Sequence, residues 1–309
     1  MNVLASYQNK IKVLVTGGSG QVGSHLKLLS NNHSSIFLFP NRVDLDLSSK
    51  KSVLDYLNKN KPNIIINLAA YTRVDEAESN QDQAYAINYM GVTYLSDYAF
   101  EKNIYLINFS TDYVFGNSVG PHKVNSSKNP INYYGYTKKI AEEKLEDFND
   151  NFLTIRLASV FSKYGNNFVK TITNLLLENK EISVVHDQKI SITYAGDVAL
   201  LIIKLIDNFI MRGNFNISSK IFHFTNNGYT DWYSVAKIIH KKILDFDKQN
   251  SAIINMISSK DWVSDAKRPS DSRLYLENDW FTKNDMIIPN WELRVEEVVS
   301  SIILNQKKR

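Results

Sequence analysis

Short apolar runs alternate with segments of helical spacing over the first half of the chain. Five runs have the apolar character of buried strands: Ile11–Thr16, Ile36–Phe39, Asn63–Ala69, Ile104–Ser110 and Phe152–Leu157. Helical spacing occupies residues 21–30, 52–60, 83–102 and 134–148 between them. Near-continuous apolar strands separated by helices are typical of a parallel sheet covered on both faces. The pattern therefore predicts an α/β fold with a doubly wound parallel sheet.

The strict alternation loosens beyond about Gly165. Helices are predicted over 168–178 and 232–244, and short strands over 182–185 and 221–224. We expect a first domain over 1–165 and a smaller C-terminal α/β domain, mainly over 166–309, that binds substrate. The chain is expected to return to the first domain within 183–225.

Composition narrows the class of protein. The 309 residues include no cysteine, which excludes disulfides, thiolate metal sites and cysteine nucleophiles. The six histidines are dispersed along the chain, so no metal site is predicted. The net charge of +4 is scattered apart from the basic end at 307–309. Because no dense basic stripe is present, nucleic acid is not an expected partner.

Hydropathy gives no indication of a membrane segment. A membrane-spanning helix needs roughly 18 apolar residues, and the best candidate, Val198–Ile203, ends at Lys204. The N-terminus lacks a signal-peptide pattern. We therefore expect no membrane association and a cytoplasmic location.

A glycine-rich turn joins the first predicted strand to the first predicted helix. Its sequence is Gly17-Gly18-Ser19-Gly20-Gln21-Val22-Gly23. Glycine allows a tight turn and close approach of the backbone to a pyrophosphate, and the helix N-terminus offers free N–H groups to the anion. Strand, turn and helix in this order predict a Rossmann-type dinucleotide-binding domain, with Gly17, Gly20, Gln21, Val22 and Gly23 at the cofactor.

The end of the second strand bears on which nicotinamide cofactor is used. An acidic residue there usually accepts the ribose 2′-hydroxyl of NAD. This chain instead has Pro40-Asn41-Arg42, and Arg42 could pair with a 2′-phosphate. The sequence favours NADPH and leaves NADH as the alternative.

A Tyr-x-x-x-Lys pair begins the helix that follows the fourth strand. Tyr134 and Lys138 are four residues apart and project from one helix face. A nearby ammonium favours tyrosinate, so we expect Lys138 to lower the pKa of Tyr134 and prepare it to protonate a carbonyl oxygen. The fourth strand ends at Ser110-Thr111-Asp112, which places a hydroxyl at the carboxyl edge of the sheet, where ligands bind in open α/β folds.

The glycine turn, residues 110–116 and the Tyr134–Lys138 pair together resemble the extended short-chain dehydrogenases/reductases. Within them, the chain is similar to the dTDP-4-dehydrorhamnose reductase family. Further stretches carry this likeness over nearly the whole chain: residues 67–78, 164–168, 268–274 and 288–293. The resemblance implies NADPH- or NADH-dependent reduction of the 4-keto group of a nucleotide-activated 6-deoxy sugar, in deoxysugar biosynthesis. A homodimer is a further expectation.

The resemblance also implies roles for particular residues. Thr111 would hydrogen-bond the keto oxygen, Tyr134 would protonate it, and Lys138 would also hold the nicotinamide ribose. Further cofactor contacts are expected from Asp46, Leu47, Ala69 and Ala70. Substrate contacts are expected from Tyr71, Asp112 and Arg268, with Arg268 near the nucleotide or diphosphate. Asn88 is expected either to help relay a proton or to be a core or helix-cap asparagine.

Two departures from the family pattern fall on the sugar-binding side. Ser159 replaces an aromatic residue associated with substrate binding, and the segment 187–193 lacks the family's glycine and proline. These changes leave the sugar and its nucleotide open. The related dehydratases have an Asp-Glu pair after the threonine, whereas Tyr113 follows Asp112 here, which favours simple reduction over dehydration.

Two other functions stay open at the level of sequence. One is a regulatory subunit of the methionine adenosyltransferase type, which resembles these reductases but binds a partner enzyme. The other is an epimerase-reductase acting on a GDP-sugar. The complete set of Thr111, Tyr134 and Lys138 favours the reductase.

Overall fold

The computed structural model describes residues 10–147, 151–215, 217, 219–277 and 279–306. The basic end at 307–309 and the predicted helix end at Phe148 lie outside these residues.

Twelve strands and eleven α-helices make up the described part of the chain. The strands are β1 (Lys12–Thr16), β2 (Ile36–Leu38), β3 (Ile64–Asn67), β4 (Tyr105–Thr111), β5 (Phe152–Leu157), β6 (Val160–Phe161), β7 (Glu181–Val185), β8 (Lys189–Ile190), β9 (Thr193–Tyr194), β10 (Ile221–His223), β11 (Thr230–Asp231) and β12 (Ile253–Ile257). The helices are α1 (Gln21–Ser30), α2 (Lys50–Asn60), α3 (Val74–Ser79), α4 (Gln81–Tyr85), α5 (Gly91–Glu101), α6 (Tyr133–Glu146), α7 (Phe168–Leu177), α8 (Ala195–Arg212), α9 (Trp232–Phe246), α10 (Asp279–Lys283) and α11 (Trp291–Gln306). A π-helix spans Ala86–Met90, and 3₁₀ turns span Asp112–Val114 and Ser259–Asp261.

Six of the strands form one parallel sheet in the order β10-β5-β4-β3-β1-β2. Side chains alternate between its two faces, as the period of two in a strand requires. Val13 and Val15 of β1 belong to one buried cluster, together with α1 and α8, while Leu14 belongs to the cluster beneath α2 and α5. The predicted α/β fold with a doubly wound parallel sheet is confirmed.

The chain leaves this sheet after β5 and returns to it at β10, which pairs with β5 through Ile221 and Thr154. Between the two strands, α8 packs against α1 on one face of the sheet. Helices α7, α9 and α11 enclose a separate apolar cluster beside the parallel pair of β7 and β12. Segments that pack on the six-stranded sheet therefore alternate along the sequence with segments that pack in the second apolar cluster.

Two long helices and one interruption were missing from the predicted elements. Helices α8 and α11 were not predicted, and Val198–Ile203, the most apolar candidate for a membrane segment, lies within α8. In the described part of the chain, no helix is long and apolar enough to cross a membrane. The predicted helix over 83–102 is divided by the π-helix at Ala86–Met90.

Candidate active site

The glycine turn packs directly against the loop that follows β3. Gly17 has φ of +67°, and a Cβ there would lie 2.7 Å from the backbone nitrogen of Ala69. A Cβ at Gly23 would lie 2.6 Å from the carbonyl oxygen of Gly17, so side chains are excluded at both points. Gly20 caps α1 without a side-chain hydrogen bond. The first N–H groups of α1 therefore stay available to an anion at this turn.

A ladder of side-chain hydrogen bonds fixes the carboxyl edge of the sheet below the turn. The Thr16 hydroxyl donates to Asn67 Oδ1 at 2.7 Å, and Asn67 Nδ2 donates to Asn108 Oδ1 at 2.9 Å. Thr16 Oγ1 also accepts from the backbone N–H of Ala69 at 3.2 Å. Strands β1, β3 and β4 are thereby tied together where the turn and Ala69 approach each other.

A cavity of about 700 Å³ opens along this edge. Ten of the residues predicted to act at the site line it: Gly17, Gly20, Gln21, Val22, Gly23, Ala69, Ala70, Thr111, Tyr134 and Lys138. The structure thus brings the glycine turn and the Tyr–Lys pair, more than a hundred residues apart in sequence, to one cavity.

Helix α6 carries the Tyr–Lys pair in its first two turns. Its N-cap, Asn132, accepts the Gly135 N–H at 2.7 Å and donates to the Lys267 carbonyl at 2.8 Å. Lys138 is only 2% exposed, and its ammonium donates to the Phe109 carbonyl of β4 at 2.7 Å. Thr111 ends β4, so one strand positions both the lysine and the hydroxyl.

Burial sets the protonation of the pair. It raises the pKa of Tyr134 to about 12, against the opposing effect of a hydrogen bond with Thr111. It lowers the pKa of Lys138 to about 8, and the nearby Glu142 carboxylate limits that fall. The predicted lowering of the Tyr134 pKa by Lys138 was wrong, because loss of hydration outweighs other effects at this depth. Tyr134 is therefore a neutral phenol at neutral pH, the form that donates a proton.

A buried ion pair lies one helical turn beyond Lys138. Glu142 is 0% exposed and accepts two hydrogen bonds from Arg156 of β5, at 2.9 and 2.7 Å. Although burial raises the pKa of Glu142, the guanidinium of Arg156 prevails and holds it below the usual value. Glu142 was given no role at the level of sequence, although its spacing of four residues from Lys138 places both on one face of the helix.

Three predicted cofactor residues lie outside the cavity wall. Arg42 is exposed on the loop after β2. Although burial raises the pKa of Asp46, its hydrogen bonds with Ser48 and, to a smaller extent, the charge of Arg42 hold it below its usual range. The Asp46 backbone N–H donates to Ser52 Oγ at 2.9 Å. Leu47 is 5% exposed and packs in the core near Gly91.

The predicted substrate residues also lie outside that wall. Arg268 forms a bidentate pair with Asp75, at 3.1 and 2.7 Å. Asp112 accepts from the Thr111 hydroxyl at 3.0 Å, and burial raises the pKa of its carboxyl to about 6. The Tyr71 backbone N–H donates to Asn88 Oδ1 at 2.8 Å.

Asn88 lies in the π-helix and is 1% exposed. Its amide nitrogen donates to the Tyr71 carbonyl at 3.1 Å and to Thr137 Oγ1 at 3.0 Å. These contacts are those of a core asparagine that joins the loop after β3 to α6.

Several residues that line the cavity were given no role at the level of sequence. They are Ser19, Leu68, Thr72, Arg73, Phe109, Ser110, Leu157, Val160, Gly165, Asn166 and Asn167; Ser159, the residue that departs from the family pattern, also lines the cavity. Asn167 donates to Gln21 Oε1 at 2.9 Å and thereby joins α7 to the glycine turn. The sequence did indicate this region, because residues 164–168 are one of the stretches that resemble the family. Ser159 adopts a left-handed φ of 43°.

The fold and this site define a Rossmann-type oxidoreductase of the short-chain dehydrogenase/reductase class. A dinucleotide fits the residues present, because the close-packed glycine turn leaves an uncapped helix N-terminus and a buried ammonium on one cavity wall. Among the described residues, no group of three or more histidine, aspartate or glutamate side chains is placed to hold a metal ion.

The chain belongs to the family described as the RmlD substrate binding domain, whose model matches residues 11–303. It is 35% identical to the dTDP-4-dehydrorhamnose reductase of Aggregatibacter actinomycetemcomitans over 268 residues, which cover 86% of this chain and 90% of that protein. A dTDP-4-dehydrorhamnose reductase from Clostridium acetobutylicum has a similar crystal structure, with a TM-score of 0.83, 30% identity and coverage of 94% and 99%. The Bacillus anthracis enzyme, crystallised in complex with NADP, has a TM-score of 0.82, 30% identity and coverage of 95% and 100%. The predicted family is confirmed.

Proposed function

We propose that this protein uses NADPH to reduce the 4-keto group of a dTDP-activated 6-deoxy sugar, as a dTDP-4-dehydrorhamnose reductase does. The observation that carries the proposal is the meeting of Thr111, Tyr134 and Lys138 with the glycine turn in one cavity. A relative at 35% identity that bears this enzyme name supports the choice of substrate class.

NADPH is proposed over NADH on two grounds. The Bacillus anthracis relative was crystallised with NADP. In this chain, an arginine rather than an acidic residue follows the second strand, and Arg42 is exposed there. An exposed guanidinium beyond β2 suits a 2′-phosphate, which it can bind through charge-assisted hydrogen bonds.

Three residues of the chain have separate roles in the reduction. When bound, the nicotinamide supplies a hydride to C4 of the sugar. The Thr111 hydroxyl, which donates to Asp112 in this structure, turns to donate to the keto oxygen. The neutral Tyr134 phenol then delivers the proton that turns this oxygen into a hydroxyl. The Lys138 ammonium would hold the nicotinamide ribose. Tyr134 regains its proton from solvent.

Reduction without elimination of water follows from the groups beside Thr111. Dehydration needs an acid and a base, and Tyr113 occupies the place of the second carboxylate. Burial raises the pKa of the Tyr113 phenol above its usual value, so this side chain is no base at neutral pH. Of the two residues that follow Thr111, only Asp112 then carries a carboxyl group, and dehydration would need a second group beside it.

Residues 166–309 are proposed to form most of the substrate-binding part, together with Tyr71 and Asp112. Arg268, which Asp75 orients through two hydrogen bonds, is proposed to lie near the diphosphate. A cytoplasmic location and a homodimer stay predictions, which cell fractionation and light scattering would check.

Oxidation of NADPH against a panel of dTDP-, UDP-, GDP- and CDP-activated 4-keto sugars tests the proposed function. We expect the highest kcat/KM with dTDP-4-dehydrorhamnose, and a product of the same carbon skeleton. Preference for a GDP-sugar with inverted stereochemistry would favour the epimerase-reductase. Co-purification with a methionine adenosyltransferase, without turnover of any sugar, would favour the regulatory subunit and contradict the proposal.

A further inference from the structure

The side chain of the first residue in α1 contacts a distant segment of the chain. Gln21 Nε2 donates to the Val160 carbonyl at 3.1 Å, and Gln21 Oε1 accepts from Asn167 Nδ2 at 2.9 Å. These two partners are 139 and 146 residues away in the sequence. Both polar atoms of the Gln21 amide are therefore bonded to the segment 158–167, which joins β5 to α7.

Further contacts hold the segment 158–167 against α1. Asn167 Nδ2 also donates to the carbonyls of Ser162, at 2.7 Å, and Tyr164, at 3.3 Å, and its Oδ1 caps α7. His25 lies on the same face of α1 as Gln21, four residues later. Its Nε2 is 3.2 Å from Ser162 Oγ, and its ring meets the edge of Tyr164 at 5.0 Å between centroids. One face of α1 thus anchors the segment.

The anchored segment is also part of the wall of the candidate active site. Its members that line the cavity of the Tyr–Lys pair are Ser159, Val160, Gly165, Asn166 and Asn167. Since Gly165 and Asn166 are exposed, contacts with α1 rather than burial hold this end of the segment. Gly165 has φ of +62°, and a Cβ there would lie 3.1 Å from Gln21 Cγ, so the close approach favours glycine.

Gln21 therefore belongs to two parts of the site at once. Its backbone lies at the uncapped N-terminus of α1, where a pyrophosphate is expected to bind. Its side chain bonds to the segment that forms another part of the cavity wall.

We propose that Gln21 and Asn167 are positioning residues that join the dinucleotide site to the segment 158–167, so that NADPH and the nucleotide sugar each bind more tightly when the other is present. The inference rests on the proposed function and adds a coupling between its two ligands. The two side chains take no part in proton or hydride transfer and act through the segment.

The coupling follows from what each ligand fixes. A pyrophosphate at the N-terminus of α1 fixes the backbone of Gln21, whose amide then holds the segment through Val160 and Asn167. Because the segment borders the cavity in which the sugar is proposed to lie, a sugar that binds second meets a wall that is already ordered. Thermodynamic linkage makes the effect reciprocal, so the sugar must tighten dinucleotide binding by the same factor.

Isothermal titration calorimetry on the full chain measures the coupling without turnover, because oxidised NADP supplies no hydride. The Kd of dTDP-4-dehydrorhamnose is measured with and without saturating NADP. In the wild type, we expect this Kd to be at least about fivefold lower with NADP. Gln21→Met keeps a long side chain and removes both hydrogen bonds. It should reduce the factor at least about fivefold, as loss of a net hydrogen bond implies, while the Kd of NADP alone stays close to wild type.

Asn167→Ser separates the contact with Gln21 from the helix cap. Serine can still cap α7 but is too short to reach Gln21, so this variant should also lose about fivefold of the factor. The double variant should lose no more than Gln21→Met alone, because the two residues share one contact. Asn151→Ser is the control. It makes the same substitution, removes a hydrogen bond to Asn103 just before β5, and should keep the wild-type factor.

The possible results distinguish the inference from the proposed function. Equal sugar affinity with and without NADP in the wild type overturns the inference and leaves the proposed function intact. A loss of sugar affinity in Gln21→Met that is the same with and without NADP shows a merely structural role and also overturns it. If Gln21→Met does not fold, an unchanged factor in Asn167→Ser overturns it. If NADP binds but no nucleotide sugar does, the proposed function itself fails, and the inference with it.

Discussion

Replacement of Glu142 by glutamine should destabilise the protein well beyond what loss of one hydrogen bond would cause. The Glu142 carboxylate is fully buried, accepts two hydrogen bonds from Arg156 and lies 3.5 Å from the Lys128 ammonium. Glutamine keeps the shape of the side chain and removes its charge. Arg156, only 1% exposed, would then be a buried cation without its carboxylate.

The expected cost follows from this geometry. Removing one partner of a buried ion pair costs about 3–5 kcal/mol, since the other charge stays out of water. For a chain of this size, ~1 kcal/mol corresponds to about 2 °C in Tm, so we expect a loss of about 6–10 °C. Because the pKa of Glu142 is depressed in the folded state, its stabilisation is complete above its unfolded pKa and is lost as the pH falls through the folded value. The deficit of the variant should therefore narrow in acid.

Thermal and urea unfolding, followed by circular dichroism, measure this deficit. Asp55→Asn is the control, because its pair with Lys51 is exposed and should leave the midpoint unchanged. The double variant Glu142→Leu, Arg156→Met should recover most of the loss, since two apolar side chains can replace a buried pair. A Tm within 2 °C of wild type for Glu142→Gln, about one kcal/mol, would refute the reasoning.

Three further predictions concern activity. Tyr134→Phe should lower kcat about 100- to 10,000-fold, while fluorescence titration should show unchanged affinity for NADPH. The control is Tyr136→Phe, which changes an exposed tyrosine on the same helix and should keep nearly wild-type activity. Equal losses of activity in both variants would contradict the role of Tyr134. Since the pKa of Lys138 is lowered to about 8, its ammonium is lost and kcat/KM should fall as pH rises through that value; a flat profile from neutral to alkaline pH would argue against this. Asp75→Asn should raise the KM for the nucleotide sugar several-fold with little change in kcat, because Arg268 loses the carboxylate that orients it. An unchanged KM would show that Arg268 does not contact the substrate.

The sequence predicted the parts of the site that depend on local spacing. The glycine turn needs only a strand, three glycines and a helix in order, and the Tyr134–Lys138 pair needs one helix face. Parallel strands place their carboxyl ends at one edge, which brings these segments together. No single spacing could indicate that Asp46 and Leu47 lie outside the cavity wall, because this depends on how the loop after β2 packs.

The errors arose where tertiary structure overrides local pattern. Helix α8 packs tightly on α1 and the sheet, so the apolar run Val198–Ile203 conceals its helical period. The π-helix at Ala86–Met90 differs from the α-helices on either side in its hydrogen bonds from residue i to i+5, which the apolar spacing did not indicate. The direction of the Tyr134 pKa shift was wrong, because depth of burial cannot be read from a spacing of four residues.

The pairing of β10 with β5 restricts how this protein could exchange parts with its relatives. A fragment ending at residue 165 would expose the backbone edge of β5 and the apolar side of α1, both of which later segments cover. An unpaired edge strand favours aggregation. A chimaera that swaps the substrate-binding half should therefore keep residues 195–223 from the same parent as the first half.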